Sequence, residues 1–184
     1  DADRIVALYN ADEAYALNVE AVSAPGGILA RLLGVGDDGF SATARGVGDL
    51  ATGNATYRAS IGAQELLSGT TDWSNGAWRA NADARLDILP VTASIAERLG
   101  DSVVLSLEAD AARNLVARGE TRFLALDLNT VLEEDGAWIA PATFVATTNN
   151  LSSIADESPF ALGAARLEGE FRRARGTMAI QATL

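Results

Sequence analysis

The sequence predicts an all-β protein with one or two short helices, in which long antiparallel strands form one curled, open sheet. Two observations carry this prediction: apolar residues recur at every second position through most of the 184 residues, and glycine-containing turns separate these runs. Alternation with period two is typical of strands that bury one face and leave the other in water. The length suits one domain, and we expect residues 1–184 to be a single β-rich segment excised from a longer protein.

The clearest alternation begins at Trp78 and ends at Ile88. Apolar residues occupy the even positions, whereas Arg79, Asp83 and Asp87 are among the polar residues at the odd positions. A strand of this length would span roughly 35 Å, about twice the usual length of a strand. The same pattern elsewhere predicts one apolar face, whose candidate residues are Tyr15, Leu17, Val19, Trp78, Ala80, Ala82, Ala84, Leu86, Ile88, Val103, Leu105, Leu107, Leu124, Leu126, Leu128, Phe144, Leu167, Phe171, Met178 and Ile180.

Turn signals join these runs into local antiparallel pairs. Asn-Gly and Asp-Gly supply the positive φ angles that tight hairpins need. We predict a three-stranded meander with strands near 53–61, 64–73 and 77–88. The predicted turns are Asp37-Asp38-Gly39, Ser74-Asn75-Gly76, Glu134-Asp135-Gly136 and Ala174-Arg175-Gly176.

Two short segments follow helical spacing instead. Each has Pro near its start and Gly after its end, which is the usual punctuation of a short helix. Two interpretations stay open, because such helices could cap an open end of the sheet or act as lids over a ligand channel. The residues at helical spacing are Ile28, Leu29, Leu32 and Leu33, between Pro25 and Gly34, and Val91, Ile95 and Leu99, between Pro90 and Gly100.

The composition excludes several kinds of chemistry. The chain has 14 basic and 25 acidic residues, so its formal net charge is −11, and every basic residue is arginine. Such an acidic chain is not expected to bind nucleic acid, which needs clustered cations. Histidine and cysteine are absent, which excludes disulfides, the usual zinc sites and Ser-His-Asp or Cys-His catalysis. We therefore expect a protein that is not an enzyme and that has neither a cofactor nor a metal.

Nothing in the sequence predicts a membrane anchor. No run approaches the roughly 20 apolar residues that a membrane-spanning helix needs. The N-terminal residues Asp1-Ala2-Asp3-Arg4 lack the basic and apolar regions of a signal peptide. We expect any export signal or anchor to lie outside this chain.

Three pairs of acidic residues invite comparison with the paired carboxylates of glycosidases. Each pair lies on the polar side of a predicted strand or at its end, among Arg, Asn and Ser residues, so a solvated outer face explains it. A hydrolase would need two acidic residues to converge in one cleft, within roughly 5–10 Å. The pairs are Asp83 with Asp87, Glu108 with Asp110, and Glu168 with Glu170.

The apolar face is rich in small residues, which would fill the core between two sheets poorly. Two alternatives stay open. An open, curled sheet could hold acyl chains on this face, or Trp, Phe and Leu from neighbouring strands could complete an ordinary core. The small residues assigned to this face are Ala80, Ala82, Ala84, Ala109, Ala125, Ala140, Ala142, Ala146, Gly169 and Ala182.

About half of the chain resembles the middle region of the alphaproteobacterial TamB family, which belongs to the AsmA-like group. The resemblance begins with Leu17-Asn-Val-Glu-Ala-Val-Ser-Ala-Pro-Gly-Gly-Ile-Leu-Ala-Arg-Leu-Leu-Gly34 and continues with Phe40-Ser-Ala-Thr-Ala-Arg-Gly46 and Gly48-Asp-Leu50. Leu67-Ser-Gly-Thr-Thr-Asp-Trp73 and Ala82-Asp-Ala-Arg-Leu-Asp-Ile-Leu-Pro90 extend it. The Ala-Pro-Gly-Gly helix followed by Gly-x-Gly-Asp-Leu is the distinctive part.

The resemblance implies a taco-like sheet with an apolar concave groove, in the periplasmic part of an inner-membrane-anchored protein of a Gram-negative bacterium. Phospholipid acyl chains in the groove, adjacent segments of the same chain, and an outer-membrane partner of the TamA type are the implied partners. The implied function is phospholipid transport to the outer membrane and support of outer-membrane protein assembly. An alternative is a module that pairs with outer-membrane protein precursors by β-augmentation through its edge strands.

Overall fold

The computed structural model describes residues 3–10, 15–32, 34–35, 37–88, 93–133, 138–154, 163–174 and 177–183. The strands in this part of the chain pair in sequence order, each antiparallel to its neighbours, into one open sheet. They are β1 (Arg4–Asn10), β2 (Tyr15–Ser23), β3 (Phe40–Gly48), β4 (Thr52–Ile61), β5 (Gln64–Ser74), β6 (Ala77–Arg85), β7 (Ser102–Ala109), β8 (Asn114–Thr121), β9 (Leu124–Leu132), β10 (Trp138–Thr148), β11 (Ala165–Ala174) and β12 (Thr177–Thr183).

This architecture confirms the predicted fold class of long antiparallel strands in one open sheet. In the described part of the chain there is no second sheet, so the alternative of an ordinary two-sheet core is wrong for these residues. The sheet is uncurled, and its packing is essentially between neighbouring strands, because no second layer draws distant strands together. The predicted curl of the sheet is therefore not found in the described part of the chain, and the apolar groove stays a prediction.

The helical insertions all lie at the same end of the sheet, where β2 ends and β3 begins. They are α1 (Ile28–Leu32), α2 (Ala93–Leu99) and a single 3₁₀ turn (Leu151–Ser153). They connect β2 to β3, β6 to β7 and β10 to β11, so one insertion follows every fourth strand. The positions of α1 and α2 confirm both predicted helices.

The hairpin between β5 and β6 has the predicted turn. Asn75 and Gly76 adopt φ angles of 49° and 84°, as a type I′ turn requires. Residues 134–136 and 175–176 lie outside the described residues. The hairpin turn predicted at Asp37, Asp38 and Gly39 is not found, because these residues lead from α1 into β3.

The strand predicted from 77 to 88 is shorter than expected, since β6 ends at Arg85. Asp87 binds the Arg85 guanidinium at 2.8 and 2.5 Å, and the Leu86 amide donates to the Asp101 carbonyl oxygen at 2.7 Å. The bond between Leu86 and Asp101 continues the register of Arg85 with Ser102, and the chain bends from Leu86 to Ile88. Pro141 lies where the pairing of β9 with β10 shifts register, because proline cannot donate to a ladder and is tolerated at bulges.

Helix α1 covers the ends of the strands next to it. Ala30 is fully buried in a cluster with Val35 and Ile61. A bulge between β4 and β5 brings Leu66 into the same cluster. Phe40 and Ile88 also pack against it. This packing supports the interpretation of α1 as a cap on the sheet.

A polar network fixes α1 to the start of the sheet. The buried hydroxyl of Ser23, at the end of β2, donates to the carboxylate of Asp3 and accepts from the Ala30 amide at 3.3 Å. The second carboxylate oxygen of Asp3 accepts from the Ile28 amide at 2.8 Å. Because the first amides of a helix have no intrahelical acceptor, Asp3 and Ser23 together cap α1.

Replacing Ser23 with Ala tests this cap. The substitution leaves the Ala30 amide and the Asp3 carboxylate without their shared partner, so we expect the free energy of unfolding to fall by about 1–3 kcal/mol. Urea denaturation followed by circular dichroism measures the change. Ser41→Ala, on the exposed face of β3, is the control and should change stability by less than about 0.5 kcal/mol. Equal losses in both variants would contradict the capping role.

Candidate functional site

The pairing register places the alternating apolar residues of neighbouring strands on one side of the sheet, which we call the apolar face. The opposite side, which carries most of the charged residues, is the polar face. One row of consecutive register partners across the apolar face includes Leu17, Ala80, Leu107, Leu128 and Phe144. The next row includes Val19, Ala82, Leu105, Leu126 and Leu167.

Large side chains on this face are open to solvent. Leu17, Leu105, Leu107 and Leu126 are 44, 39, 38 and 40% exposed. Most of the buried apolar residues in the described part of the chain are alanines. Contiguous exposed apolar surface on a folded protein marks a place where a partner or ligand binds. The apolar face is therefore the candidate functional site.

The middle of the apolar face is recessed because its side chains are small. Between Leu17 on β2 and Leu107 on β7, the register partners are Gly46, Ala55, Thr71 and Ala80. Two shallow hollows lie above β2 to β5. One, of about 280 Å³, is bounded by Leu17, Gly46, Ala55 and Trp73, and the other, of about 190 Å³, is bounded by Val19, Ala42, Ala59 and Leu67.

Aromatic rings of this face lie over glycines of the neighbouring strand. Tyr57 lies over Gly69 and donates from its hydroxyl to the Asn81 carbonyl oxygen at 2.9 Å. Trp73 lies over Gly53, and its indole N–H donates to the Asp49 carbonyl oxygen at 2.7 Å. Each ring fills the space above a glycine, where any other residue would place its own side chain. Neither Tyr57 nor Trp73 was among the predicted face residues, although a glycine one strand away was the available signal.

The part of the apolar face on β10 and β11 is more closely packed. The rings of Phe144 and Phe171 are 4.8 Å apart between centroids and tilted by 34°. Phe144 is only 7% exposed, and its register partner on β11 is Gly169, which leaves room for the ring. Phe144 therefore contributes packing to this part of the sheet, whereas the leucines named above offer open surface.

The remaining candidates fall into three groups. Trp78, Ala84, Val103 and Leu124 are half-buried on the strands predicted for them. Leu86 and Ile88 lie beyond the end of β6, and Ile88 packs against the cluster under α1. Tyr15 belongs to β2, and Met178 and Ile180 belong to β12, but their side chains lie outside the described residues. Ala125 is on the polar face, because its register partners are Glu120 and Thr147.

Arginine–carboxylate pairs cover much of the polar face. Arg79 binds Glu108 at 2.6 Å, and Arg118 binds Asp127 at 3.0 Å. The hydrogen bond to Glu108 and its charge raise the pKa of Arg79. Hydrogen bonds from the Asn114 side chain and backbone lower the pKa of Asp110, so Glu108 and Asp110 have different partners.

In each of the other two pairs, one carboxylate binds an arginine. The hydrogen bond from Arg85 lowers the pKa of Asp87, and Glu168 binds Arg166 at 2.5 Å. These contacts support the interpretation of the carboxylates as a solvated polar face. Among the described residues, no group of three or more acidic side chains is arranged to hold a metal ion.

Comparison of the chain with protein-family models, with curated proteins and with solved structures gave no match. No helix in the described residues has the length and apolar character needed to cross a membrane.

Replacing Gly69 with Ala tests the packing of Tyr57 on the apolar face. The new methyl group would collide with the Asn81 carbonyl oxygen and the Tyr57 ring, so we expect a loss of about 1–3 kcal/mol in the free energy of unfolding. Gly119→Ala, in the same row on β8, is the control. A methyl group there meets only Leu105, at 3.5 Å, and should leave stability unchanged or slightly raised. Urea denaturation of both variants measures the difference, and equal effects would contradict the packing described.

Proposed function

We propose that this chain is a non-enzymatic segment of an inner-membrane-anchored, periplasm-spanning protein of the TamB type. Its apolar face carries phospholipid acyl chains toward the outer membrane and supports the assembly of outer-membrane proteins. Adjacent segments of the parent protein continue the sheet, and the parent protein meets an outer-membrane partner of the TamA type. The resemblance of residues 17–107 to the TamB family supports this assignment.

The uncovered apolar face is the observation that carries the lipid-binding proposal. Its leucines are 38–44% exposed on several strands. At about 25 cal/mol per Å² of apolar surface removed from water, covering such a face with acyl chains is strongly favourable. The small residues between β2 and β7 leave the space in which chains can lie. A non-directional apolar surface suits lipids, because acyl chains need no hydrogen-bonding partner.

A specific feature also favours the second candidate, a module that pairs with outer-membrane protein precursors. In the described residues, β1 pairs on one side only, with β2. Ile5 on this edge strand is 68% exposed. An apolar edge strand is a template for an incoming strand, and hydrogen bonds between backbones would supply the affinity. This candidate uses the edge of the sheet, whereas lipid binding uses its face.

Photocrosslinking distinguishes the two candidates. We expect a photoreactive residue at Leu105 to label co-purifying phospholipid, because Leu105 lies on the apolar face. Val104 is the matched control, since it is the neighbouring residue on the polar face and is 52% exposed. Mass spectrometry of the products measures the labelling. Equal lipid labelling at both positions would contradict the assignment of the face, and labelling of a precursor protein from Ile5, without lipid at Leu105, would favour β-augmentation.

Replacing Ala82 with Arg tests whether the face is open. Ala82 is flanked on the same face of β6 by Ala80 and Ala84, so a long arginine stem can extend over these small neighbours and keep its charge in water. We expect the melting temperature to change by only a few degrees and the bound phospholipid to fall severalfold. Thermal melting and lipid extraction measure the two quantities.

The control is Asn81→Arg, which places the same charge on the polar face and should retain the lipid. Collapse of the fold in Ala82→Arg alone would contradict an open face, because an unpaired charge in a closed core costs several kcal/mol. Unchanged lipid content in Ala82→Arg would contradict the lipid role of this face.

A further inference from the structure

Arg45 is a polar-face arginine that has neither a carboxylate opposite it nor an ion pair elsewhere in the described part of the chain. Arg79 faces Glu108 and Arg118 faces Asp127 as direct register partners, and each pair forms an ion pair. The register partners of Arg45 are Asn18 on β2 and Thr56 on β4. Arg45 is exposed and has no ion-pair partner in the described part of the chain.

The carboxylate nearest to Arg45 in the pairing register already binds another arginine. Glu20 lies diagonally from Arg45 on β2, and it binds Arg4 at 3.2 Å. Arg58, diagonally placed on β4, binds Glu65 at 2.7 Å. The Arg45 guanidinium is therefore a cation that the sheet itself leaves uncompensated, in a chain with a formal net charge of −11.

Hydroxyl groups surround one side of Arg45. A hollow of about 610 Å³ extends over the polar face from β3 to β6, and Arg45 forms part of its wall. Thr43, Thr56, Ser68 and Thr70 also line it. Hydroxyl groups and a guanidinium can all donate hydrogen bonds to the oxygens of one anionic group. Asp83 lies at the β6 side of the hollow, so an anion is favoured at the Arg45 side.

An apolar surface lies on the other side of Arg45. A second hollow, of about 340 Å³, is bounded by Leu8, Ala16, Val47 and Arg45. Leu8 and Val47 are 61 and 52% exposed, although they are on the polar face. The aliphatic stem of Arg45 can join this apolar surface to the guanidinium group. An unpaired cation thus lies between hydrogen-bond donors and an exposed apolar patch.

We propose that Arg45 and its surroundings bind a single-chain anionic amphiphile of the alkyl phosphate or fatty carboxylate class. The guanidinium and the hydroxyls of Thr43 and Thr56 bind the anionic headgroup, and Leu8 and Val47 contact the first part of the hydrocarbon chain. Charge complementarity selects the headgroup, and the adjoining apolar hollow selects a ligand with a tail. The site is on the opposite face from the proposed phospholipid-binding surface, so either can exist without the other.

Titration with decyl phosphate tests this proposal. Methyl resonances in NMR spectra of the chain locate the ligand, since Leu8 and Val47 report on the polar face and Leu105 and Leu107 on the apolar face. We expect shifts at Leu8 and Val47 that saturate with decyl phosphate. Arg45→Gln should weaken this binding at least tenfold, whereas Arg118→Gln should leave it unchanged.

Two further ligands test the two halves of the site, at about 0.15 M salt so that long-range repulsion is screened. Inorganic phosphate and decanol should each bind Leu8 and Val47 at least tenfold more weakly than decyl phosphate. Equal affinity for inorganic phosphate would overturn the role of the tail, and equal affinity for decanol would overturn the role of Arg45. Shifts confined to Leu105 and Leu107, or unchanged binding in Arg45→Gln, would overturn the site while leaving the proposed function intact.

Discussion

The backbone hydrogen-bond ladder between neighbouring strands is the interaction on which this structure depends. Side chains offer little help, because the buried apolar residues among those described are mostly alanines. A ladder stabilises each strand only through its two neighbours. Because side chains alternate between the two faces, a slip of one residue in the pairing would exchange the two faces of a strand completely. Register is therefore the property that this sequence must specify most strongly. The hairpin at Asn75 and Gly76, and the rings of Tyr57 and Trp73 over the glycines of the next strand, all fix it locally.

Strands with clean alternation could be predicted from the sequence, and others could not. Apolar and polar residues alternate strictly from Trp78 to Arg85 in β6, and a leucine stands at every second position from Leu124 to Leu128 in β9. Both strands were expected. In β1, Ile5, Val6, Ala7 and Leu8 are all apolar, so period two is hidden. β3 and β8 place glycine or alanine at apolar-face positions, which weakens the contrast between the faces. The end of β6 at Arg85 was also missed, because the alternation of apolar and polar residues continues through the bend at Leu86–Ile88.

The candidate site also has features that could be predicted from the sequence and features that could not. Periodicity alone placed Leu105, Leu107 and Leu126 on one face, since the face of a residue follows from its position in the strand. The rows across the sheet depend on pairing, which a single strand does not reveal. The relation of Tyr57 to Gly69 and the lack of a carboxylate opposite Arg45 are both properties of neighbouring strands. Such features emerge only when the register is known.

The placement of a helical insertion after every fourth strand has a consequence for how the chain can change in length. At the opposite end of the sheet, the described connections are short, such as Asp49–Ala51 between β3 and β4 and the turn at Asn75 and Gly76. A residue added there would disturb the pairing of two strands. The connections that carry α1 and α2 lie outside the ladder, so insertions and deletions can accumulate in them while the pairing stays unchanged. The sequences Gly76-Ala77-Trp78 and Gly136-Ala137-Trp138 are 60 positions apart, and Trp78 and Trp138 each belong to a strand that precedes a helical insertion. The sheet thus resembles a series of four-strand modules, each free to vary at one end and constrained at the other.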